Sequence, residues 1–440
     1  MKLSGWGRFP VIETDLRAPR TEDDLRAALG QGALIARGNG RSYGDSAVSP
    51  RATLHMRHFN HMLAFDETTG QLVAEAGVLL GDVIDAFLPR GWFPMITPGT
   101  RLITLGGAIA ADVHGKNHHK DGSFGTCVDW IDVMGPDGAV LRCSREDNAD
   151  LFRYTLGGMG LTGIILRCAI RLRPVESAWI QQTTHPAPDL DTAMRLFEEN
   201  QQVTYSVAWI DCLGRGAHLG RSLVMLGEHA TVAELDAKRA RHPLDAGHKP
   251  KLAVPLDFPG FALNSLTVRA FNKLYYTLGA RKTGTQLVDW DTYFYPLDAV
   301  LKWNRIYGRR GFAQFQCVLP LETSRDGLTA LLEAISDSGN ASFLAVLKRF
   351  GPQDSAMSFP MEGYTLALDF PMKSGTLALL DRLDRITLNH DGRFYLAKDS
   401  RMSADTLRAA DPRVRAFTEM RKDRNLSGHF ASAQSERLSL

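Results

Sequence analysis

The sequence predicts an α+β fold built on antiparallel sheets, and three observations carry this. Strand candidates come in hairpin pairs around turn signals, at 62–76 about Asp66-Glu-Thr-Thr-Gly70 and at 130–143 about Pro136-Asp-Gly138. The one GxGxxG, Gly158-Met-Gly160-Leu-Thr-Gly163, has a helix candidate before it and a strand candidate after it. That order is the reverse of a dinucleotide fingerprint and argues against a Rossmann unit. Beyond residue 176, strand and helix candidates are joined by long connections, the pattern of an antiparallel sheet backed by helices.

The first helix candidate spans 20–30, with Thr21 as N-cap, Asp24 three residues on, and Leu25 and Leu29 on one face. Ala33–Ala36 reads as an apolar strand. It runs into Arg37-Gly38-Asn39-Gly40-Arg41-Ser42-Tyr43-Gly44-Asp45, which no regular element accommodates. Met62–Phe65 and Gln71–Ala76 form the first hairpin, and Leu79–Leu88 has helical periodicity that stops at Pro89-Arg-Gly91. A glycine-rich stretch, 97–125, precedes the second hairpin, Trp130–Met134 with Val140–Cys143. Asp150–Leu156 reads as a short helix and Ile164–Leu172 as a strand closed by Pro174.

Composition shifts at 174–188, where Pro174, Pro186 and Pro188 fall, and the first domain boundary is placed there, giving a unit 1–175 and a second, 176–390. The second holds strand candidates Ser206–Ile210, Phe312–Leu319, Ser342–Phe350 and Tyr364–Phe370 and helix candidates Asp189–Asn200, Ser324–Ser338 and Ser374–Asn389. The stretch 245–275 is rich in Pro, Leu and Phe without a clear period and reads as a long mobile loop.

Composition sets bounds. At 440 residues the chain suggests two or three domains. Lys plus Arg is 51 and Asp plus Glu 49, so there is no global basic footprint for nucleic acid. The five cysteines are scattered without a CxxC, which argues for reduced structural thiols rather than disulfides or a zinc site. No apolar run approaches a membrane span. No signal peptide is evident, which favours the cytoplasm.

Several clusters carry candidate chemistry. The loop from Arg37 to Gly44 offers exposed N–H groups plus Arg37, Arg41 and Ser42 as donors, a nest suited to a diphosphate. In Pro98-Gly99-Thr100 and Thr104-Leu105-Gly106-Gly107-Ala-Ile-Ala-Ala111-Asp112-Val113-His114, Thr104 is set to cap a short helix. Its small residues would let the chain lie flat on a ligand, and its N-terminus would favour an anion. His114, His118 and His119 lack the spacing of a metal site, so no metal is expected. The last two read as an exposed polar loop, whereas His114 would face whatever the small residues contact. Lys398, approached by apolar residues at a strand end, suits proton transfer. Gln314 and Gln316 share a strand face, and Lys348 lies on another strand, as if lining a cavity.

Together these residues resemble the flavoproteins of vanillyl-alcohol-oxidase type. Gly5-Trp-Gly-Arg8, ARGNGRSYGD, PGTRLITLGGAIAADVHGKNHHKDGSFG, GGMGLTGII, the FGP at 350–352, the DFP at 369–371 and the AKDSR at 397–401 narrow the resemblance to the decaprenylphosphoryl-β-D-ribose 2-oxidases. These are the flavin subunits of the epimerases that make arabinose donors for cell-wall arabinan. The resemblance covers about residues 5–440. It implies a PCMH-type, two-part FAD-binding domain, 1–175 and a C-terminal return 391–440, with the substrate domain 176–390 inserted. It implies hydride transfer from C2 of a polyprenylphosphoryl ribose to flavin N5, a quinone-like electron acceptor, and an NADH-dependent short-chain reductase as partner.

Carried onto this chain, the resemblance assigns FAD contacts to Arg37 through Gly44, Gly99, Thr104 through Gly107, Ala111 through His114, Ile164 and Tyr395. Lys398 is first choice as the group that takes the hydroxyl proton and His114 second, with Tyr43 beside the flavin. Gln314, Gln316, Lys348, Thr365 and Lys398 would line the sugar-phosphate pocket. Mycobacterial members carry cysteine at the position of Ala367 and asparagine at that of Thr365, so agents aimed at that thiol should fail here. Arg41 and Ser42 stand where wider relatives have a flavin-linking histidine, so FAD is expected to be non-covalent. A lipid-linked substrate pulls towards the inner-membrane surface, on either side, and leaves peripheral contact open. Two alternatives stand beside this: an FAD oxidase of free sugars, alditols or aldonolactones, and a flavin-binding subunit without turnover.

Overall fold

The computed structural model describes residues 1–247, 252–259, 264–282, 284–340, 342 and 344–440. Two sheets organise it. In the first, the long strand Ile164–Pro174 is central: Val128–Met134 and then Val140–Ser144 lie on one side, Gln71–Glu75 and then Met62–Asp66 on the other, all antiparallel. Trp92–Pro94 extends it at Leu172–Pro174. The helix Glu22–Leu29 starts at Thr21 in a full capping box with Asp24. A small parallel sheet, Asp15–Arg17, Ala52–His55 and Leu34–Arg37, delivers the chain into the loop at 38–45.

The second sheet is antiparallel and eight-stranded, in the order 284–289, 179–187, 222–229, 205–210, 345–350, 363–371, 312–320, 393–394. Helices Leu190–Glu199, Leu321–Ser338 and Thr376–Asn389 bury Phe197, Leu331 and Leu383 against Phe315, Leu347 and Leu366. The alternate residues of these strands therefore point to the opposite face. The chain end returns to the first unit: Leu426 and Phe430 pack with Leu25, Leu34 and Leu54, and Leu34 bridges Phe430.

Several expectations need correction. The stretch 245–275 is not one loop. Residues 248–251 and 260–263 lie outside the described residues, but Ser265–Arg281 is a 17-residue helix, with the Asn264 side chain accepting from the N–H groups of Leu266 and Thr267. Its apolar residues lie on more than one face, Val268 inward and Leu266, Phe271, Leu274 and Leu278 outward, so no single stripe stands out from the sequence. Within the proline-marked segment Trp179–Ala187 is an interior strand, which is not among the strand candidates, and Pro186 lies past the end of its partner Gly284–Asp289. Of the candidate Ser342–Phe350, residue 343 lies outside the described residues and the strand is Ala345–Phe350. The strands Ser222–His229, apolar and mostly buried, and Gly284–Asp289, more polar and exposed, are not among the strand candidates either. No helix of the described residues is long and apolar enough to cross a membrane.

Candidate active site

The cavity-side face of the second sheet closes over the glycine loops of the first unit, and one continuous cavity runs between them. Its lining includes Gly38 through Tyr43, Gly99, Thr104, Gly106, Gly107 and Ala111 from the first unit, and Gln314, Gln316, Lys348, Thr365, Asp369 and Lys398. Val113, His114 and Tyr395 line it as well.

The first loop is clamped from both sides. Trp6 N–H donates to Ser42 O (2.8 Å), Gly7 N–H to Tyr43 O (2.9 Å), and Tyr43 N–H to Ala397 O (2.9 Å). Gly44 permits the last contact, because a Cβ there would stand 2.0 Å from Asp399 O. Arg437 locks the pair, binding Asp45 (2.7 Å) and Asp399 (2.8 Å). This brings Lys398 to Tyr43. Arg37 does not reach the cavity: its guanidinium donates to Ser4 O (2.8 Å) and Ala47 O (3.2 Å), bracing the loop from behind. Among the described residues the N–H groups of Asn39, Gly40, Arg41 and Ser42 donate to no acceptor. The Arg41 Nε, Ser46 Oγ and Gln314 Oε1 are buried with no hydrogen-bond partner among the described residues, and all three residues line the cavity.

The second loop overturns one expectation. Thr104 does cap a helix, Leu105–Ala110, accepting from Gly107 N–H at 3.2 Å. However, Leu105 N–H donates to Val78 O (2.9 Å) and Gly106 N–H to Ala76 O (2.8 Å), so the first turn has no free donors for an anion. What this helix offers is a flat wall of Gly107, Ala110 and Ala111. Leu105 is core, and Ile164 is buried in the sheet while its neighbours Gly163 and Ile165 line the cavity. Asp112 is also off the cavity. Its backbone takes φ +38°, and its buried carboxylate accepts from Ser123 Oγ (2.6 Å), Gly125 N–H (2.7 Å) and Gln353 Nε2 (3.0 Å). That turn sends Val113 and His114 inward.

His114 is buried within two polar chains. Gln316 Nε2 lies 3.1 Å from its Nε2 and donates to Thr365 Oγ1 (3.2 Å), which itself donates to Cys317 O (2.8 Å). Lys348 Nζ is 3.5 Å from His114 Nδ1. Burial, reinforced by Lys348, His118 and Lys398, pushes the imidazole well below 6.5, so it stays neutral. Burial takes Lys348 down to about 8. Lys398 is also lowered by burial, with Asp369 opposing and Lys348 adding to the shift. Asp369 is raised by burial and held by Gln314 Nε2 and by Tyr307 Oη at 3.3 Å. Tyr43 is pushed well above 10 by burial, so its hydroxyl keeps its proton. Tyr395 Oη donates to Ala111 O (3.1 Å).

Sequence reasoning missed Asp369 and Asp298. Thr365, Ala367 and Asp369 alternate along one strand, and the period-two rule that paired Gln314 with Gln316 would have found Asp369. Asp298 accepts from Thr100 Oγ1 (2.8 Å) and Arg101 N–H (2.9 Å), a link between loops 198 and 197 residues apart that no local pattern signals. His118 and His119 are not an exposed loop. They start a short helix, His118–Asp121, in which His118 is buried and His119 half-buried, with His118 Nε2 2.7 Å from Gln353 Oε1 and His119 Nε2 2.8 Å from Val203 O.

Comparison with known proteins gives the context. A family model of the FAD binding domain matches residues 16–144. The chain is 36% identical to the decaprenylphosphoryl-β-D-ribose oxidase of Mycolicibacterium smegmatis, over 100% of this chain and 97% of that protein. It is 34% identical to an uncharacterised protein of Streptomyces coelicolor, over 82% of this chain and all of the relative. The L-gulonolactone oxidase of Mus musculus is 31% identical over only 34% of this chain. The loop at 38–42, with its unengaged N–H groups and the orphaned Arg41 Nε, suits the diphosphate of FAD, and the wall at 107–111 suits its flat ring system.

Proposed function

The chain belongs to the decaprenylphosphoryl-β-D-ribose oxidase family of FAD-dependent oxidoreductases, and from that premise we propose that it oxidises the 2-hydroxyl of a polyprenylphosphoryl-β-D-ribose to the 2-keto sugar, the first half of epimerisation to the arabinose donor. The observation that carries this reading is the array of Lys398, Asp369, Gln314, Gln316, Lys348 and His114 lining the same cavity as a diphosphate-type loop.

Bound FAD supplies the acceptor for the hydride that leaves C2. The cradle for it is Gly38 through Tyr43, Gly99, Thr104, Gly106, Gly107, Ala111 and Val113, with no covalent link. Lys398 as the free amine takes the proton of the 2-hydroxyl, so that proton and hydride together account for the change from alcohol to ketone. Burial supports this role, since it favours the unprotonated amine. Asp369 orients Lys398 and tunes its proton affinity. Neutral His114, fixed by Gln316, aligns the sugar hydroxyl, and Lys348 offers a cation to the substrate phosphate. Tyr43 contributes its ring face rather than a proton.

The substrate domain is 176–390, inserted between 1–175 and 391–440. The 2-keto product calls for an NADH-dependent short-chain reductase as partner, and the lipid tail for peripheral contact with a membrane.

The test is an anaerobic substrate panel. Polyprenylphosphoryl ribose should bleach the yellow flavin band. Bleaching by xylitol or gulonolactone in its place would move the chain to the free-sugar reading, and no bleaching by any sugar to the subunit without turnover.

A further inference from the structure

The helix Ser265–Arg281 presents an unusual outer surface. Leu266, Ala270, Leu274 and Leu278 recur every four residues and form one ridge, with Leu266 76% and Leu274 59% exposed. Arg269, Lys273 and Arg281 form the next ridge, also exposed, and no acidic residue occurs between 264 and 282. The inner face is fixed to the protein: Asn272 Nδ2 donates to Asp211 Oδ1 at 2.6 Å, and Gly279 backs onto Leu223. The apolar ridge lies on the side of the helix away from these contacts and is exposed among the described residues.

The helix lies on the cavity side of the large sheet. Trp209 sits opposite Val346 in the antiparallel ladder, so both side chains point to one face. Val346 lines the cavity, and the Tyr275 ring packs on Trp209 at 4.9 Å. A second exposed apolar segment borders the same cavity. Leu252 and Ala253 pair with Val300 and Leu301, next to the cavity residue Trp303, and Leu252 (75% exposed) and Leu256 (72%) point into solvent. A groove beside it is bounded by Phe258, Arg309, Arg310 and Lys373.

We propose that the outer ridges of the helix Ser265–Arg281, together with the segment 252–258, seat the protein on an anionic lipid bilayer with the cavity rim at the membrane surface. This rests on the reading of a lipid-linked substrate and gives the peripheral contact its address. Charge complementarity selects the occupant. An apolar stripe flanked by bases and free of acids matches the boundary between acyl chains and anionic headgroups. In this pose the sugar phosphate enters the cavity while its prenyl tail stays in the bilayer.

Vesicle sedimentation of the FAD-loaded protein tests it. Wild type should pellet with phosphatidylcholine vesicles containing phosphatidylglycerol and much less with phosphatidylcholine alone. Leu274→Asp/Leu278→Asp and, separately, Arg269→Glu/Lys273→Glu should weaken binding by about tenfold or more. Both should keep wild-type melting temperatures and flavin bleaching by a short-chain, water-soluble prenylphosphoryl ribose. Wild type that ignores anionic vesicles yet is bleached overturns the docking surface and leaves the oxidase reading standing. Variants that bind like wild type overturn it too. Self-association that Leu274→Asp dissolves, without vesicle binding, would assign the ridge to a second copy and overturn it. Vesicle binding through these ridges without bleaching would uphold the docking surface while the oxidase reading falls.

Discussion

The Lys398 Nζ stands 3.7 Å from the centre of the Tyr43 ring, a contact set by the Arg437 clamp on Asp45 and Asp399. The ring face stabilises the ammonium through its quadrupole, while burial destabilises it. The balance leaves a lysine able to lose its proton well below its ordinary value.

Lys398→Met should keep FAD and the fold but slow flavin reduction by substrate by about 10²–10⁴-fold, the usual worth of a general base. In wild type the active form is the free amine, so the rate of flavin reduction should rise with pH and level off well below 10.5, because burial lowers the lysine. Stopped-flow reduction across pH checks both. A rate that climbs until about pH 10.5, or turnover unchanged in the variant, would remove Lys398 from proton transfer.

Asp369→Asn should move that profile. The carboxylate opposes the burial shift on Lys398. Its loss therefore lowers the lysine further, and the rising limb shifts to lower pH. The two donors sit on different carboxylate oxygens; in the amide the oxygen can still accept from Gln314 Nε2 while the amide nitrogen donates to Tyr307 Oη, whose hydroxyl can turn its proton away, so the cavity shape should persist. A purely structural role would instead raise KM with the pH profile unmoved.

The first unit was legible because its signals are local. Thr21 with Asp24, the turns at 66–70 and 136–138, and Thr104 with Gly107 are settled within a few residues. The glycine loop and the Gln314/Gln316 face were legible for the same reason. The free first turn at 105–107 was misread because its donors go to Val78 and Ala76, far back in the chain. The helix Ser265–Arg281 was missed because apolar residues lie on several of its faces, Val268 inward and Leu266, Phe271, Leu274 and Leu278 outward, which blurs a single helical stripe.

Acid should destabilise the protein in a defined window. Burial takes His118 from 6.5 down to about 4 and His229 from 6.5 down to about 3. Above 6.5 both are neutral folded or unfolded, and stability is complete. Below 6.5 the unfolded chain binds protons that the folded protein refuses until about 4 and about 3. Stability falls across each interval, by on the order of 3 kcal/mol for His118 and about 5 kcal/mol for His229 if it is crossed fully. Urea midpoints should drop from pH 7.5 to pH 5. His229→Phe, packed among Phe93, Tyr205 and Phe294, should lessen the drop, and an unchanged slope would exclude His229 from it.

Gly107 tests the cofactor wall without disturbing the fold. An added Cβ would meet only Thr104 Oγ1, at 3.0 Å, and otherwise enters the cavity. A side chain in place of glycine also costs a helix nothing in propensity. Gly107→Val should therefore leave the melting temperature of the apo form close to wild type while weakening FAD retention by about tenfold or more, since one misplaced methyl group in a packed interface costs 1–3 kcal/mol. Absorbance at the flavin band relative to protein measures retention. In wild type the same flavin should leave the protein on acid precipitation, because no covalent link is expected. Flavin retained in the acid pellet would overturn the non-covalent assignment, and full FAD occupancy in the valine variant would move the cofactor off the wall at 107–111.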